Sequence, residues 1–244
     1  MKILALIPAR YDSSRFPGKP LKLIAGKPMI QHVFERTLAC PEFSEVLVAT
    51  DDERISKCVH EFGGKAVMTK KTHRSGTDRI CEAALATGAQ EEDLIINIQG
   101  DQPVFDPSII SKLITPLKEK SVSMSTLKWK ITDAEDINNP NHVKVVTDQN
   151  DFALYFSRAP IPYLRNDRPE KAYYKHLGFY GYRMDFLSIF TRLPEGKLEI
   201  YEKLEQLRAL EHGYRIKVIE TDCNSIEVDI PADIGMVEKA LLCA

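Results

Sequence analysis

Short apolar runs rich in β-branched residues alternate with segments of helical period through the first hundred residues, and this alternation constrains the fold more than any other feature. KILALIP (2–8) reads as a buried strand, and Ile30, Val33, Phe34 and Leu38 then give the i, i+3, i+4, i+8 face of a helix. EVLVAT follows as a strand, DERISKCVHEF as a helix, Gly63-Gly64 as a turn and KAVMT as a further strand. Residues 77–87 read as a helix and LIINI as a strand, and Asp106-Pro107 opens the next helix with a cap and a proline at its first position. Repeated β–α units of this kind imply an α/β fold with a mostly parallel, doubly wound sheet, in which ligands bind beyond the carboxyl ends of the strands.

The second half has another rhythm. SVSMSTLKWK, VKVVTD and HLGFYGYRMD read as strands with little helix between them, which predicts a small antiparallel lobe. A helix is expected from about Leu198 to His212, capped by Gly213, then strands at RIKVIE and SIEVD and a closing helix from Pro231. No repeat or linker divides the 244 residues, so a single domain is expected, with about 1–120 and 213–244 as a nucleotide-binding core and about 121–212 as a substrate-binding and dimerisation lobe.

Charge narrows the function classes. A formal net charge of −2 and a pI near 6.3 supply no broad field for nucleic acid or an anionic membrane, so any anion site must be local. Five cysteines without a C-x-x-C pair imply neither a disulfide framework nor a zinc centre and suit a reducing cytoplasm. The apolar stretch Ile3–Ile7 stops at Pro8, and no later run approaches the ~20 apolar residues of a membrane span.

Two loops at predicted strand ends carry chemistry. In PARYDSSRFPGKPL (8–21), Arg10, Arg15 and Lys19 stand among Ser13, Ser14 and Gly18, whose small side chains let backbone amides approach a ligand. Cationic side chains beside exposed amides are what a triphosphate needs, although a solvated basic loop has the same composition. It is no Walker A loop, since G-x-x-x-x-G-K-[ST] is absent. In NIQGDQP (97–103), Asp101 beside a glycine turn offers a hard oxygen ligand for Mg2+ on nucleotide phosphates; alone, such a turn is equally a conformational device. A third segment, SGTDR (75–79), places Thr77 as a helix cap with Ser75 and Arg79 toward the cleft.

These blocks, with GKPMIQHV, VATDDERI, ALYFSR, YKHLGFYGYR, LEQLR and VDIPADI, resemble in order and across nearly the whole chain the 3-deoxy-manno-octulosonate (Kdo) cytidylyltransferases. The resemblance implies a Rossmann-like nucleotidyltransferase fold, a cytoplasmic homodimer, Mg2+ as cofactor, and transfer of CMP from CTP to an eight-carbon sugar acid for lipopolysaccharide synthesis. It implies no nucleic-acid or membrane partner. Carried over residue by residue, it implies Arg10, Arg15 and Lys19 on the triphosphate, Ser75 and Arg79 on the cytidine side, and Asp101 and Asp229 on the metal. It further implies a sugar pocket of Gln99, Arg158, His176, Tyr180, Glu205 and Gln206, with Arg158 clamping the sugar carboxylate. Taken alone, His176 and Tyr180 also read as strand packing, and Glu205-Gln206 as an exposed helix face.

The sequence departs from the family pattern twice. Gln102 follows the metal aspartate where a glutamate is usual, and S-I-E-V-D (225–229) stands where many members have G-V-D. Both departures are similar to the branch that activates the 8-amino analogue of Kdo. Two other functions fit the same fold, a nucleotide-sugar glycosyltransferase and a catalytically silent nucleotide-binding paralogue. The first would release a nucleotide and not pyrophosphate; the second would turn over nothing.

Overall fold

The computed structural model describes residues 1–12, 16–165 and 173–242. In chain order the elements are β1 (Ile3–Ala9), a hairpin of β2 (Leu23–Ile24) and β3 (Lys27–Pro28), α1 (Met29–Leu38), β4 (Glu45–Thr50), α2 (Glu53–Glu61), β5 (Ala66–Met68), α3 (Gly76–Ala86), β6 (Leu94–Asn97) and α4 (Ser108–Ile114). They continue with β7 (Met124–Lys130), α5 (Ala134–Asn138), β8 (Lys144–Thr147), β9 (Ala153–Ser157), β10 (Tyr174–Arg183), α6 (Met184–Phe190), α7 (Lys197–Glu202), α8 (Leu207–Glu211), β11 (Lys217–Thr221) and α9 (Ile234–Leu242).

One sheet runs in the order β11-β7-β10-β6-β1-β4-β5, with β8 and β9 attached beside β10. β6, β1, β4 and β5 are parallel neighbours, as are β7 and β11, whereas β10 runs antiparallel to both β6 and β7. The alternation of strand β1 explains the two layers. Leu4 and Leu6 pack with Ile80, Ala83 and Ala84 of α3 and with Phe186 and Leu187 of α6. Ala5 and Ile7 pack on the other face with Ile30 and Val33 of α1 and Ile109 and Ile110 of α4. Each fully buried leucine or isoleucine is worth roughly 1.5–3 kcal/mol, so a strand with both faces covered must be apolar throughout.

Within the segment 121–212, β7 and β10 lie inside the main sheet and β8–β9 extends it as an antiparallel pair, while β2–β3 forms a separate two-stranded sheet. Two expectations are corrected by the structure. The single helix expected over 198–212 is two short ones, because Lys203 adopts a left-handed backbone (φ 54°). The Glu211 carboxylate then accepts the N–H groups of Leu198 and Glu199, folding α8 back onto the start of α7. SIEVD forms no strand. It makes one bridge, Ile226 to Val104, against a loop in which Pro103 has no N–H to extend the ladder.

Candidate active site

β1 and β6 are adjacent, and the chain leaves β1 toward β4 on its other side, so a topological switch point lies between them. The loops after these two strands meet there. Gly100 is required for the approach: a Cβ at that position would fall 2.7 Å from the carbonyl oxygen of Pro8. Lys19 enters from the first loop, and its Nζ donates to Asp101 Oδ2 at 2.8 Å and to the Val228 carbonyl at 2.7 Å. Val228 N–H returns a bond of 2.9 Å to the Asp101 carbonyl, which docks the C-terminal segment on the same spot.

Carboxylate oxygens of Asp101, Glu227 and Asp229 consequently lie within 4.8 Å of one another. Three hard oxygen donors at that spacing fit a divalent cation such as Mg2+. Glu227 was not legible as a site residue from composition or spacing. It is pushed up to about 7, first by desolvation and then by the charges of Asp101 and Asp229. A cavity of about 240 Å3 opens over this cluster, lined also by Arg10, Lys19, Arg79 and Gln99. Arg15, expected on the same loop, lies outside the described residues with Ser13 and Ser14.

At the start of α3 the helix cap is Ser75 and not Thr77. Ser75 Oγ accepts Asp78 N–H at 3.1 Å, because the residue before the first helical turn has the extended backbone that a cap needs. Thr77 is thereby free to donate to the Glu205 carboxylate. Arg79 is only 3% exposed, and its guanidinium holds Thr69 Oγ1 and, at 2.9 Å, Asp51 Oδ2. It forms cavity wall with its charge already paired.

The expected sugar residues fall into two groups. Tyr180 lies against the His176 ring on β10 (5.3 Å between centroids) and pairs with Asn97 of β6, the Glu205 charge acts on Tyr180, and Gln206 is buried beside Glu205 in the chain. His176 Nε2 meets Thr126 Oγ1 at 2.9 Å and packs edge-on to Phe156; complete burial pushes its pKa down to about 3. Burial raises the Glu205 carboxyl, against the hydrogen bond of Thr77 and the charge of Arg208. Four buried atoms, Asn97 Oδ1, Gln102 Oε1, Glu205 Oε1 and Gln206 Nε2, make no hydrogen bond among the described residues. Such atoms are costly unless a polar ligand meets them, and a polyhydroxylated ligand suits them.

Arg158 stands apart. Its guanidinium donates to the main-chain carbonyls of Glu202 (2.7 Å), Pro140 (2.9 Å) and Lys203 (3.4 Å), so its fork is occupied by backbone. A second cavity of about 530 Å3 shares Arg10 and Gly76 with the first and reaches Ser75 and Glu205; a third of about 550 Å3 shares Glu227 and Asp229. A larger cavity of about 780 Å3 on the outer side of α3 contains none of the three carboxylates. Among the described residues no helix is long and apolar enough to cross a membrane.

The sequence model of the cytidylyltransferase family matches residues 4–218. A 3-deoxy-manno-octulosonate cytidylyltransferase of Syntrophus aciditrophicus (strain SB) is 55% identical over 242 residues, which cover 99% of this chain and 98% of that protein. An 8-amino-3,8-dideoxy-manno-octulosonate cytidylyltransferase of Shewanella sp. (strain W3-18-1) is 51% identical over 243 residues, covering 99% of each. Among solved structures, a CMP:2-keto-3-deoxy-manno-octonic acid synthetase complexed with CTP superposes with a TM-score of 0.93 at 44% identity, covering 99% of both chains.

Proposed function

This chain belongs to the cytidylyltransferase family, and we propose that it transfers CMP from CTP to an eight-carbon 3-deoxy-ulosonic acid of the Kdo type, releasing pyrophosphate, for lipopolysaccharide synthesis. One observation carries the reading beyond family likeness: Lys19 of the basic loop is bonded directly to Asp101 of the carboxylate cluster, at the switch point of the sheet. A cation suited to a leaving pyrophosphate and a carboxylate suited to a divalent metal are thus held side by side.

Asp101 and Asp229 would hold Mg2+, which when bound neutralises charge at the α-phosphate and lowers the pKa of the attacking hydroxyl. The residues do the rest by positioning. Arg10 and Lys19 would meet the β- and γ-phosphates, where charge grows as the α–β bridging bond breaks, and Arg15 is proposed for the same role on family likeness alone. Ser75 borders the nucleoside side through the start of α3, and Arg79 shapes that wall while paired to Asp51.

Gln99, Tyr180, Glu205, Gln206 and neutral His176 bond the sugar hydroxyls. Among them, Glu205 Oε1 and Gln206 Nε2 would be left unsatisfied by a ligand lacking hydroxyls at those points. Arg158 acts as a positioning residue: by gripping the carbonyls of Glu202 and Lys203 it fixes the turn that presents Glu205 and Gln206. A homodimer in the cytoplasm belongs to the same reading, with the exposed Leu154, Tyr163 and Tyr201 on the segment expected to pair; sedimentation tests it.

Incubation with CTP, Mg2+ and Kdo, followed by pyrophosphate release and mass spectrometry of the CMP-sugar, tests the transfer. Equimolar pyrophosphate and CMP-Kdo are expected. Release of free nucleotide with glycosyl transfer would indicate a glycosyltransferase, and CTP binding without turnover a silent paralogue; either outcome overturns the reading.

A further inference from the structure

Thr77 joins the start of α3 to the Glu205 carboxylate, 128 residues further along the chain. The turn that carries it is fixed at the switch point. Ser75 caps the helix by accepting Asp78 N–H, and a Cβ at Gly76 would meet the Pro8 ring at 3.3 Å, so the turn abuts the end of β1. Ser75, Gly76 and Glu205 all form wall in the cavity of about 530 Å3. Thr77 does not: it is 3% exposed and lines none of the cavities described above, so its hydroxyl acts on protein partners and not on a ligand.

The direction of its hydrogen bonds follows from the donor count. An ionised carboxylate only accepts and a hydroxyl has one proton, so Thr77 gives that proton to Glu205 Oε2 and can take one from the Tyr182 phenol that also meets it. The Ser75 hydroxyl reaches the same carboxylate, so one turn holds Glu205 with two donors. Oε1, by contrast, is sealed from solvent and makes no hydrogen bond among the described residues. Arg208 Nη2 stands 3.8 Å from it and is committed to Glu199 Oε1 at 2.5 Å. Without the anchor on Oε2, Glu205 is free to close the gap to Arg208, where a charged donor competes with any ligand hydroxyl. Resting on the proposed CMP transfer, we propose that Thr77 is a positioning residue for the sugar: by anchoring Oε2 of Glu205 it holds Oε1 open to a hydroxyl of the sugar acid, and it ties that contact to the turn that borders the nucleotide.

Steady-state kinetics with Kdo and CTP at saturating Mg2+ test this on the wild type, Thr77→Val, Thr77→Ser, Glu205→Ala and the double variant Thr77→Val with Glu205→Ala. Valine keeps the shape and removes the proton. KM for the sugar acid should rise about tenfold or more in Thr77→Val, the size of one lost hydrogen bond to a charged group, while KM for CTP moves by less than about twofold. Serine restores the donor, so Thr77→Ser should return to within about threefold of the wild type. In the Glu205→Ala background the valine should cost no more than about twofold further in kcat/KM for the sugar, because the group it acts through is gone. An unchanged sugar KM in Thr77→Val, no recovery in Thr77→Ser, a KM for CTP that rises as much as that for the sugar, or losses that simply multiply in the double variant each overturn the inference and leave CMP transfer intact. No CMP transfer to Kdo by the wild type would instead sink the parent reading, and this inference with it.

Discussion

The Lys19 ammonium bridges Asp101 Oδ2 and the Val228 carbonyl, tying together segments 82 and 209 residues apart in sequence. The pair is partly solvated, with the two side chains 12% and 26% exposed, so its value to stability is modest. Its value lies in placement. Asp101→Asn keeps the volume and a hydrogen-bond acceptor but removes a hard anionic ligand; kcat should fall by ~10^2 to 10^3 with little change in Tm. More than half of wild-type activity at saturating Mg2+ would refute the metal assignment.

Why the core of this site was legible and its edges were not has a physical basis. Strands β1 and β6 are buried on both faces, so their apolar runs announce them, and the loops at their ends were marked by Arg10, Lys19 and Asp101. Lys203 gave no such warning. A lysine in a helical period does not signal a left-handed backbone, which here is fixed by Glu211 capping the neighbouring helix from 13 residues away. Glu227 was equally opaque, because its contact with Asp101 depends on an isolated bridge between two loops. Arg158 was expected, from the family resemblance, to clamp a carboxylate, and here backbone carbonyls occupy its fork.

That difference makes Arg158→Lys informative. A lysine cannot reach three carbonyls at once, so the turn before Glu205 should loosen. We expect a loss of about 1 kcal/mol in urea unfolding, reduced from the usual value for charged hydrogen bonds by partial exposure, and a raised KM for the sugar with CTP unaffected. A raised sugar KM with unchanged stability would restore the direct clamp.

Arg208 is the buried counterpart. Its Nε and Nη2 meet Glu199 Oε2 and Oε1 at 2.8 and 2.5 Å, and both residues are buried. Arg208→Ala leaves the Glu199 carboxylate desolvated and unpaired, which should cost ~3–5 kcal/mol. Glu199→Gln combined with Arg208→Ala should recover part of this, since the stranded charge is gone. Urea midpoints of the two variants check it; a single-variant loss below about 1 kcal/mol would show that the pair is hydrated.

His176 carries the pH dependence. Its folded pKa of about 3 lies below the ordinary 6.5 because burial disfavours the imidazolium. Below pH 6.5 the unfolded chain binds one proton more than the folded one, so stability is lost as pH falls from 6.5 toward 3 and is undiminished above 6.5. At about 1.36 kcal/mol per pH unit, this single group should make the wild type about 1.4 kcal/mol less stable at pH 5.5 than at 7.5, and about twice that at pH 4.5. His176→Gln keeps a neutral partner for Thr126 and removes the titration, so its stability should decline less steeply over this window. Urea unfolding of both proteins at the three pH values decides the matter, and parallel declines would place the acid sensitivity elsewhere. The same burial keeps the ring neutral throughout the working range, so His176 should contribute no inflection to the profile of kcat/KM against pH.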